Sequence, residues 1–363
     1  MKIKVVCMII VFLFSGCKEN SVIKKEINNE FPYSIKFNND SYLSYTNNVL
    51  FERHKSKDTL SNVHFIEFKN DNIDLNTKRM ILPSFNKDLL ELTDELIILN
   101  TRPRTQGKNR KSTDFLTKYD KNLKEVLRKD MDISKYPSGN SFIIGDDDKL
   151  FYITDGFKFR EKPKLIISEI DDSFNVLNQK IIERKIGDVA RCDPVQSIFI
   201  RGVGLVVISK LEYRNNSHKH KIEMFDLNSN ETWSENLMDP VKHLGYSEKE
   251  KKIFIVTEKE GDEISIWDYK GNKQVADYVT NVEPISIISN DDTIFLLEKH
   301  QHEGIITKID FSGKTINTLN IPVKLQADKE NITNTLIHRQ NQLYLVCLDN
   351  FKNLLTVNKI QDK

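Results

Sequence analysis

Asp193-Pro194-Val195, Asp239-Pro240-Val241 and Glu283-Pro284-Ile285 place an acid before a proline three times at similar spacing. The residue before proline is pushed to extended geometry, so the three carboxylates should point alike. Three convergent carboxylates suit two chemistries. They could hold Ca²⁺, a hard cation that takes oxygen ligands. They could also supply the acid and base of a glycan or peptide hydrolase or lyase. The plainer expectation is that proline stiffens the chain and the acid caps a turn.

A second set of residues is basic and aromatic. TRPRTQGKNRKST (101–113) carries Arg102, Arg104, Arg110 and Lys111. DGFKFREKPK (155–164) interleaves Phe157 and Phe159 with Arg160 and three lysines, and LEYRNNSHKHK (211–221) adds Tyr213 and Arg214. Cations among aromatics suit an anionic glycan or an acidic protein surface. The plainer expectation is a set of solvated loops. His218 and His220, like His300 and His302, sit two apart in these segments, as a metal pair could, and His54 falls in a third. No carboxylate or Cys is spaced to complete such a site, so exposed loop histidines are expected. No phosphate-binding loop, nucleophile elbow, zinc-protease or EF-hand pattern is present in the sequence.

The elements that would carry these residues follow from a repeated phrase. DFLTKYD, KLIISEID, HKIEMFD, EISIWD and IITKID are each an alternating stretch that ends in Asp. Alternation over five to seven residues marks a strand with one buried face. The Asp then opens a turn, because its carboxylate accepts hydrogen bonds from backbone N–H groups two residues on. Gly271 and Gly313 supply the left-handed position of a tight hairpin. A more apolar strand precedes each phrase, as in KLFYITD and KIFIVTE, and its continuous apolar character requires cover on both faces. With a strand before and another after, four short antiparallel strands recur about every 40–55 residues.

This repeat resembles a β-propeller over nearly the whole chain from residue 31 to 363. Trp267-Asp268 is similar to the dipeptide that closes a WD-repeat strand, but the other units lack the Trp and the Gly-His partner is absent. The chain looks like a divergent propeller of the envelope-lipoprotein type. Seven four-stranded blades are expected, or six if the first or last unit packs irregularly. The last unit ends after its third strand, NLLTVNK, so YSIKF (33–37) is expected to supply the fourth and close the ring. In a propeller, loops between second and third strands share a face with the loops between blades, and binding is expected there. That resemblance puts the three acids near the channel mouth of adjacent blades.

The N-terminus gives an address. Lys2 and Lys4 precede a ten-residue apolar run, Val5–Phe14, which is too short to span a bilayer but suits a signal core. Ser15-Gly16-Cys17 then resembles the lipobox of bacterial lipoproteins, which implies acylation of Cys17 after removal of 1–16. Lys18-Glu19 resembles a surface-export signal of Gram-negative lipoproteins, and 17–30 reads as a polar tether. The resemblance implies an outer-membrane anchor facing periplasm or surface. Removal of Lys2 and Lys4 moves the formal charge from +1 to −1, a balance that argues against general nucleic-acid binding. Cys192 and Cys347 fall in distant repeats and are expected to stay unpaired. The expected role is a ligand- or protein-binding module rather than an enzyme.

Cys17→Ser is expected to release the protein from membranes and abolish acyl labelling, since each buried acyl methylene contributes about 0.8 kcal/mol of anchoring. Retention of the variant in carbonate-washed membranes would overturn the lipoprotein reading.

Overall fold

The structure, a computed structural model, describes residues 22–23, 34–36, 41–46, 49–54, 60–69, 72–81, 86–102, 113–131, 141–156, 162–184, 189–215, 217–258, 262–279, 284–300, 303–321, 332–339, 341–349 and 354–360. Every regular element among the described residues is a strand, and none of them is in a helix. Six four-stranded antiparallel sheets follow one another along the chain. We number these blades I (41–81), II (86–131), III (141–183), IV (189–237), V (241–279) and VI (286–321). Within each, the strands pair in chain order. The architecture is an all-β propeller.

A terminal sheet completes the described fold. It contains Ile332–Arg339, Gln342–Asp349 and Leu354–Ile360 in chain order. Two N-terminal strands, Val22–Ile23 and Ser34–Lys36, pair with Leu354–Ile360. The register matches Ser34 to Thr356, Ile35 to Leu355 and Lys36 to Leu354. Val22–Ile23 lies inside the segment expected to be a tether, and is paired there to Ile360 and Lys359.

The second strand of each blade explains how the sheets stack. In Glu95–Arg102, Leu96 and Ile98 face blade I, where they meet Phe65, while Ile97 and Leu99 face blade III, where they meet Ile143 and Tyr152. In Lys252–Thr257, Ile253 and Ile255 pack on blade IV, and Phe254 and Val256 on blade VI. Successive side chains of a strand point to opposite faces, so one apolar run supplies half of two cores. Each such side chain contributes roughly 1.5–3 kcal/mol on burial. Leu343 and Leu345 of the terminal sheet join Phe295 and Ile306 of blade VI. Tyr344 and Val346 join Leu50 and Ile66 of blade I. The outer strands are solvated instead: seven of the eight residues of Val176–Glu183 are exposed.

The repeated Asp does what its position demands. Asp120, Asp171, Asp226, Asp268 and Asp310 each accept, through Oδ1, the backbone N–H groups two and four residues on, at 2.7–3.0 Å. The residue three beyond is left-handed in every case: Leu123, Phe174, Ser229, Gly271 and Gly313, with φ between 57° and 90°. Three of them are not glycine. Phe174 takes this conformation with its ring buried in the core between blades II and III, so the burial offsets the backbone cost. Glycine is needed at 313 for a second reason, since a Cβ there would lie 2.7 Å from Cα of Ala276 in the blade before.

These turns also latch neighbouring blades. The outer strand of one blade donates to the turn of the next: Lys129 to the Asn175 side chain, Lys180 to Asn230 Oδ1, Trp233 Nε1 to the Tyr269 carbonyl and Gln274 to the Ser312 carbonyl. First strands, which have an open edge, find partners in the same direction. Asp88 of blade II accepts the N–H of Ile143 in blade III at 2.9 Å. Gln196 of blade IV donates to the Lys242 carbonyl in blade V, and Ser286 of blade VI accepts the N–H of Leu336 in the terminal sheet. Side chains thus satisfy edge groups that no strand pairs.

Asn175 and Asn272 donate side-chain hydrogen bonds that hold Asp171 and Asp268 below the usual carboxylate range. At Asp226 and Asp310 slight burial pulls upward, and hydrogen bonds from Asn230 and Ser312 outweigh it. A depressed native pKa contributes stability above the unfolded value and loses it as pH falls through the native value. The melting temperature is therefore expected to fall steeply below about pH 4. Changing these four Asp to Asn, which keeps an acceptor oxygen, is expected to flatten that fall. An unchanged acid profile would show that the turns do not carry the effect.

Candidate functional site

The three acids do not occupy equivalent places. Asp193 does not open its blade: it lies inside the first strand of blade IV, Val189–Ile200, opposite Lys210. The ladder is irregular between Pro194 and Gln196, which is where a strand tolerates proline. Asp193 is buried and accepts from Arg191 Nε at 2.7 Å. Burial pushes its carboxyl up to about 6; Arg191 opposes this and Asp155 adds to it. Asp239 is half-buried in the bend before Val241–Ser247, and Glu283 lies outside the described residues. Among the described residues no three His, Cys, Asp or Glu come together as a cation site.

Of the basic loop residues, Arg104, Arg110, Lys111, Phe157, Phe159 and Arg160 lie outside the described residues, and Arg102 is the last residue of its strand. Tyr213 is not a free loop side chain. It ends the second strand of blade IV and packs half-buried on Val189, Cys192 and Leu211, while Arg214 is exposed in the turn. His218 and His220 belong to the third strand of that blade. His220 is buried, and its Nδ1 accepts the N–H of Val241 at 2.9 Å, which ties blade IV to blade V. Burial lowers its pKa to about 4, helped by His218 and Lys210. Cys192 and Cys347 are both free.

Two clefts among the described residues lie at the opposite end, among turns joining first to second strands. One, of about 570 Å³, spans the ends of four first strands, with Tyr246 and Glu248 of blade V, Asp291 and Asp292 of blade VI, and Arg339 of the terminal sheet on its walls. A second, of about 470 Å³, runs between blade VI and the terminal sheet and is lined by Lys308, Lys359, Gln342, Phe295, Leu319 and Leu343. They share Asn290, His338 and Asn341. Gly245 lets the first cleft approach the core, since a Cβ there would meet the Phe254 ring at 2.3 Å.

Hydrogen bonds fix the rims. Ser289 Oγ donates to the Tyr246 carbonyl at 3.0 Å, Ser247 Oγ to the Asp291 carbonyl at 2.6 Å, and Tyr269 OH to the Ser247 carbonyl at 2.9 Å. Asn290 Oδ1 accepts from the backbone of Asp292 and Thr293, which turns its amide toward His338 Nε2 at 3.4 Å. The His338 ring stacks on Phe295, with centroids 5.7 Å apart. Burial holds its pKa below the ordinary value, with Arg339 and Lys308 adding to this and Asp291 opposing. Burial, then Glu248 and Asp291, raise the pKa of Tyr246. The junction therefore offers a neutral imidazole, amides, a phenol and charges of both signs on a fixed frame.

Sequence reasoning missed this junction. The polar residues that close first strands in VKHLGYS, ISIISN and TNTLIHR were its only signal, and nothing local says that these strand ends converge. It missed the buried ion pair of Arg184 with Glu223 as well. Arg184, just beyond the outer strand of blade III, reaches into blade IV, where Lys221 also pairs with Glu223 at 2.9 Å. Asp114 of blade II gathers Thr101, Ser141 and Tyr152 hydroxyls at 2.7–2.8 Å in the same manner.

No protein-family model matches the chain, and no curated protein matches it in sequence. Solved structures match in fold. Hsv2 of Kluyveromyces lactis aligns with a TM-score of 0.50 at 10% identity, over 90% of this chain and 93% of that one. The acylaminoacyl peptidase of Pyrococcus horikoshii gives 0.47 at 10% identity over 73% and 43%. Trypanosoma rangeli sialidase, in complex with sialic acid, gives 0.42 at 10% identity over 83% and 58%. Likeness at this identity is a likeness of fold alone.

Asp193 generates a prediction with a definite sign. Its native pKa lies above the unfolded value, so its ionised form weakens the fold as pH rises through about 4 to 6. Asp193→Asn is expected to raise stability at pH 7 by about 1–2 kcal/mol and to change little at pH 4. Destabilisation at pH 7, read by denaturant unfolding, would show that the Arg191 pair outweighs burial.

Proposed function

We propose that the chain is a lipid-anchored propeller of the cell envelope, held through Cys17 at the outer membrane, which binds a ligand or protein partner without transforming it. The terminal sheet is read as a seventh blade, closed by residues 34–36. Support comes from the antiparallel register on Leu354–Ile360 and from apolar contacts of the terminal sheet with both blade VI and blade I.

The observation that carries the binding reading is the pair of clefts sharing Asn290, His338 and Asn341. Sites for small ligands are concave, pre-formed and lined by a few fixed polar groups over an apolar floor. The rim hydrogen bonds and the Phe295 and Leu343 walls match that description. The sequence segments carrying Arg102, Arg104, Arg110, Lys111, Phe157, Phe159 and Arg160 have the composition to serve an anionic glycan or acidic protein as a second region. The alternative, a glycan or peptide hydrolase or lyase, draws on Asp193, whose elevated pKa suits a general acid. Against it, Asp193 is held by Arg191 and lines neither cleft.

Filling the clefts tests the proposal. Arg339→Trp with Gln342→Trp places two aromatics at strand ends, which strands tolerate. The double variant is expected to melt within a few degrees of the parent. It is also expected to lose the small molecules that the parent retains from envelope extract, as read by native mass spectrometry. Unchanged retention would overturn the assignment of the site.

A further inference from the structure

The cleft across blades IV, V and VI and the terminal sheet is walled by side chains that the fold leaves unused. Its lining includes the Tyr246 hydroxyl, the Glu248 and Asp291 carboxylates and the Asn341 amide. Among the described residues, none of these four side-chain groups makes a hydrogen bond. Asp292, on the same wall, is taken up by Lys249. We propose that this cleft binds a neutral sugar, whose hydroxyl groups are shared among Tyr246, Glu248, Asp291 and Asn341. This rests on the reading that the junction is a binding site and names the class of ligand it takes.

Hydrogen-bond complementarity selects the class. A carboxylate only accepts, whereas a phenol and an amide both donate and accept. A sugar hydroxyl is likewise one donor and two acceptor sites, so adjacent hydroxyls need acceptors and donors side by side. An oxyanion has only acceptors and would face Glu248 and Asp291 at close range. An ammonium has only donors, so it would leave the Asn341 amide N–H groups unmatched and meet Arg339 on the same wall. Ile198, Leu244 and the half-buried ring of Tyr246, which pack on the core between blades IV and V, offer apolar surface to the C–H face of a sugar. Burial, then Glu248 and Asp291, raise the pKa of Tyr246, so its hydroxyl stays a donor at neutral pH.

The frame is set before any ligand arrives. Ser289 Oγ holds the Tyr246 carbonyl at 3.0 Å, and Ser247 Oγ holds the Asp291 carbonyl at 2.6 Å. The same Ser247 Oγ accepts the N–H of Glu250 at 3.0 Å, which closes the turn that carries Glu248. Asn341 stands in a left-handed turn with φ of 58°. Little ordering therefore remains to be done on binding. The volume of about 570 Å³ lies in the range of small-ligand pockets, roughly 300–1,000 Å³.

The test is calorimetric titration of the full mature chain, in a sugar-free detergent, with glucose, galactose, mannose and lactose. Glucuronate and glucosamine serve as charged counterparts. At least one neutral sugar is expected to bind tenfold or more tightly than either charged one, and NaCl is expected to leave its affinity unchanged. Glu248→Ala and Asp291→Ala, at exposed positions, are expected to melt with the parent and each to weaken that sugar at least tenfold. Tyr246→Phe, which removes only the hydroxyl, is expected to weaken it about threefold or more. Absence of binding by every neutral sugar overturns the inference, as does glucuronate or glucosamine binding equally well. Unchanged affinity in both alanine variants overturns it too. If neutral sugars fail while Arg339→Trp with Gln342→Trp still displaces molecules retained from envelope extract, the junction stands as a binding site and only the sugar assignment falls.

Discussion

The structure depends on one constraint: a four-stranded sheet whose second strand is apolar on both faces cannot be stable alone. Ile97 and Leu99 need blade III as much as Leu96 and Ile98 need blade I. Burial of one side therefore commits the chain to a further sheet on the other, and the need passes along the chain until a sheet meets one already formed. Tyr344 and Val346 meeting Leu50 and Ile66 is that event. The polar features follow from the same stacking. Each blade presents its edge groups and its Asp turn to the blade before, and side chains such as Asp88, Lys180, Trp233 and Ser286 take them up.

This division of labour explains why the ends of the blades are free to diverge. Nothing in the stacking fixes the residue that closes a first strand, so Tyr246, Asn290 and His338 can differ from their counterparts around the ring. The same holds for buried polar positions. Thr117, Ser168, Glu223, Ser265 and Thr307 stand three places before the repeated Asp and are all buried, yet only Glu223 is charged, and it meets Arg184. Such a pair is costly to break, on the order of 3–5 kcal/mol for loss of one partner, and it ties blade III to blade IV.

Much of the fold was legible because its signals are local. The alternation of KLIISEID and EISIWD, and the Asp that ends each, describe a strand and a turn within eight residues, and both are found there. Gly271 and Gly313 were legible for the same reason, whereas Leu123, Phe174 and Ser229 take the left-handed position through packing that no local pattern reveals. Asp193 and His220 were misjudged because strands ran further than the alternation indicated: the first strand of blade IV continues through a proline bulge, and its third begins at His218. The candidate site was the least legible, since Asn290 and His338 lie in different sheets and meet only when the sheets stack.

The terminal sheet has a consequence for the order of events in folding. Its strand Leu354–Ile360 pairs on one side with Gln342–Asp349 and on the other with residues from near the start of the chain. Ser34 cannot meet Thr356 until almost the whole polypeptide has been made, and contacts between such distant residues form slowly. Blades II to VI can assemble in sequence during synthesis, but the pairing of the two ends has to wait for the last strand. Until then both partners expose unpaired edges. A chaperone that shields early N-terminal segments would act on the slowest and most aggregation-exposed step of the molecule's life.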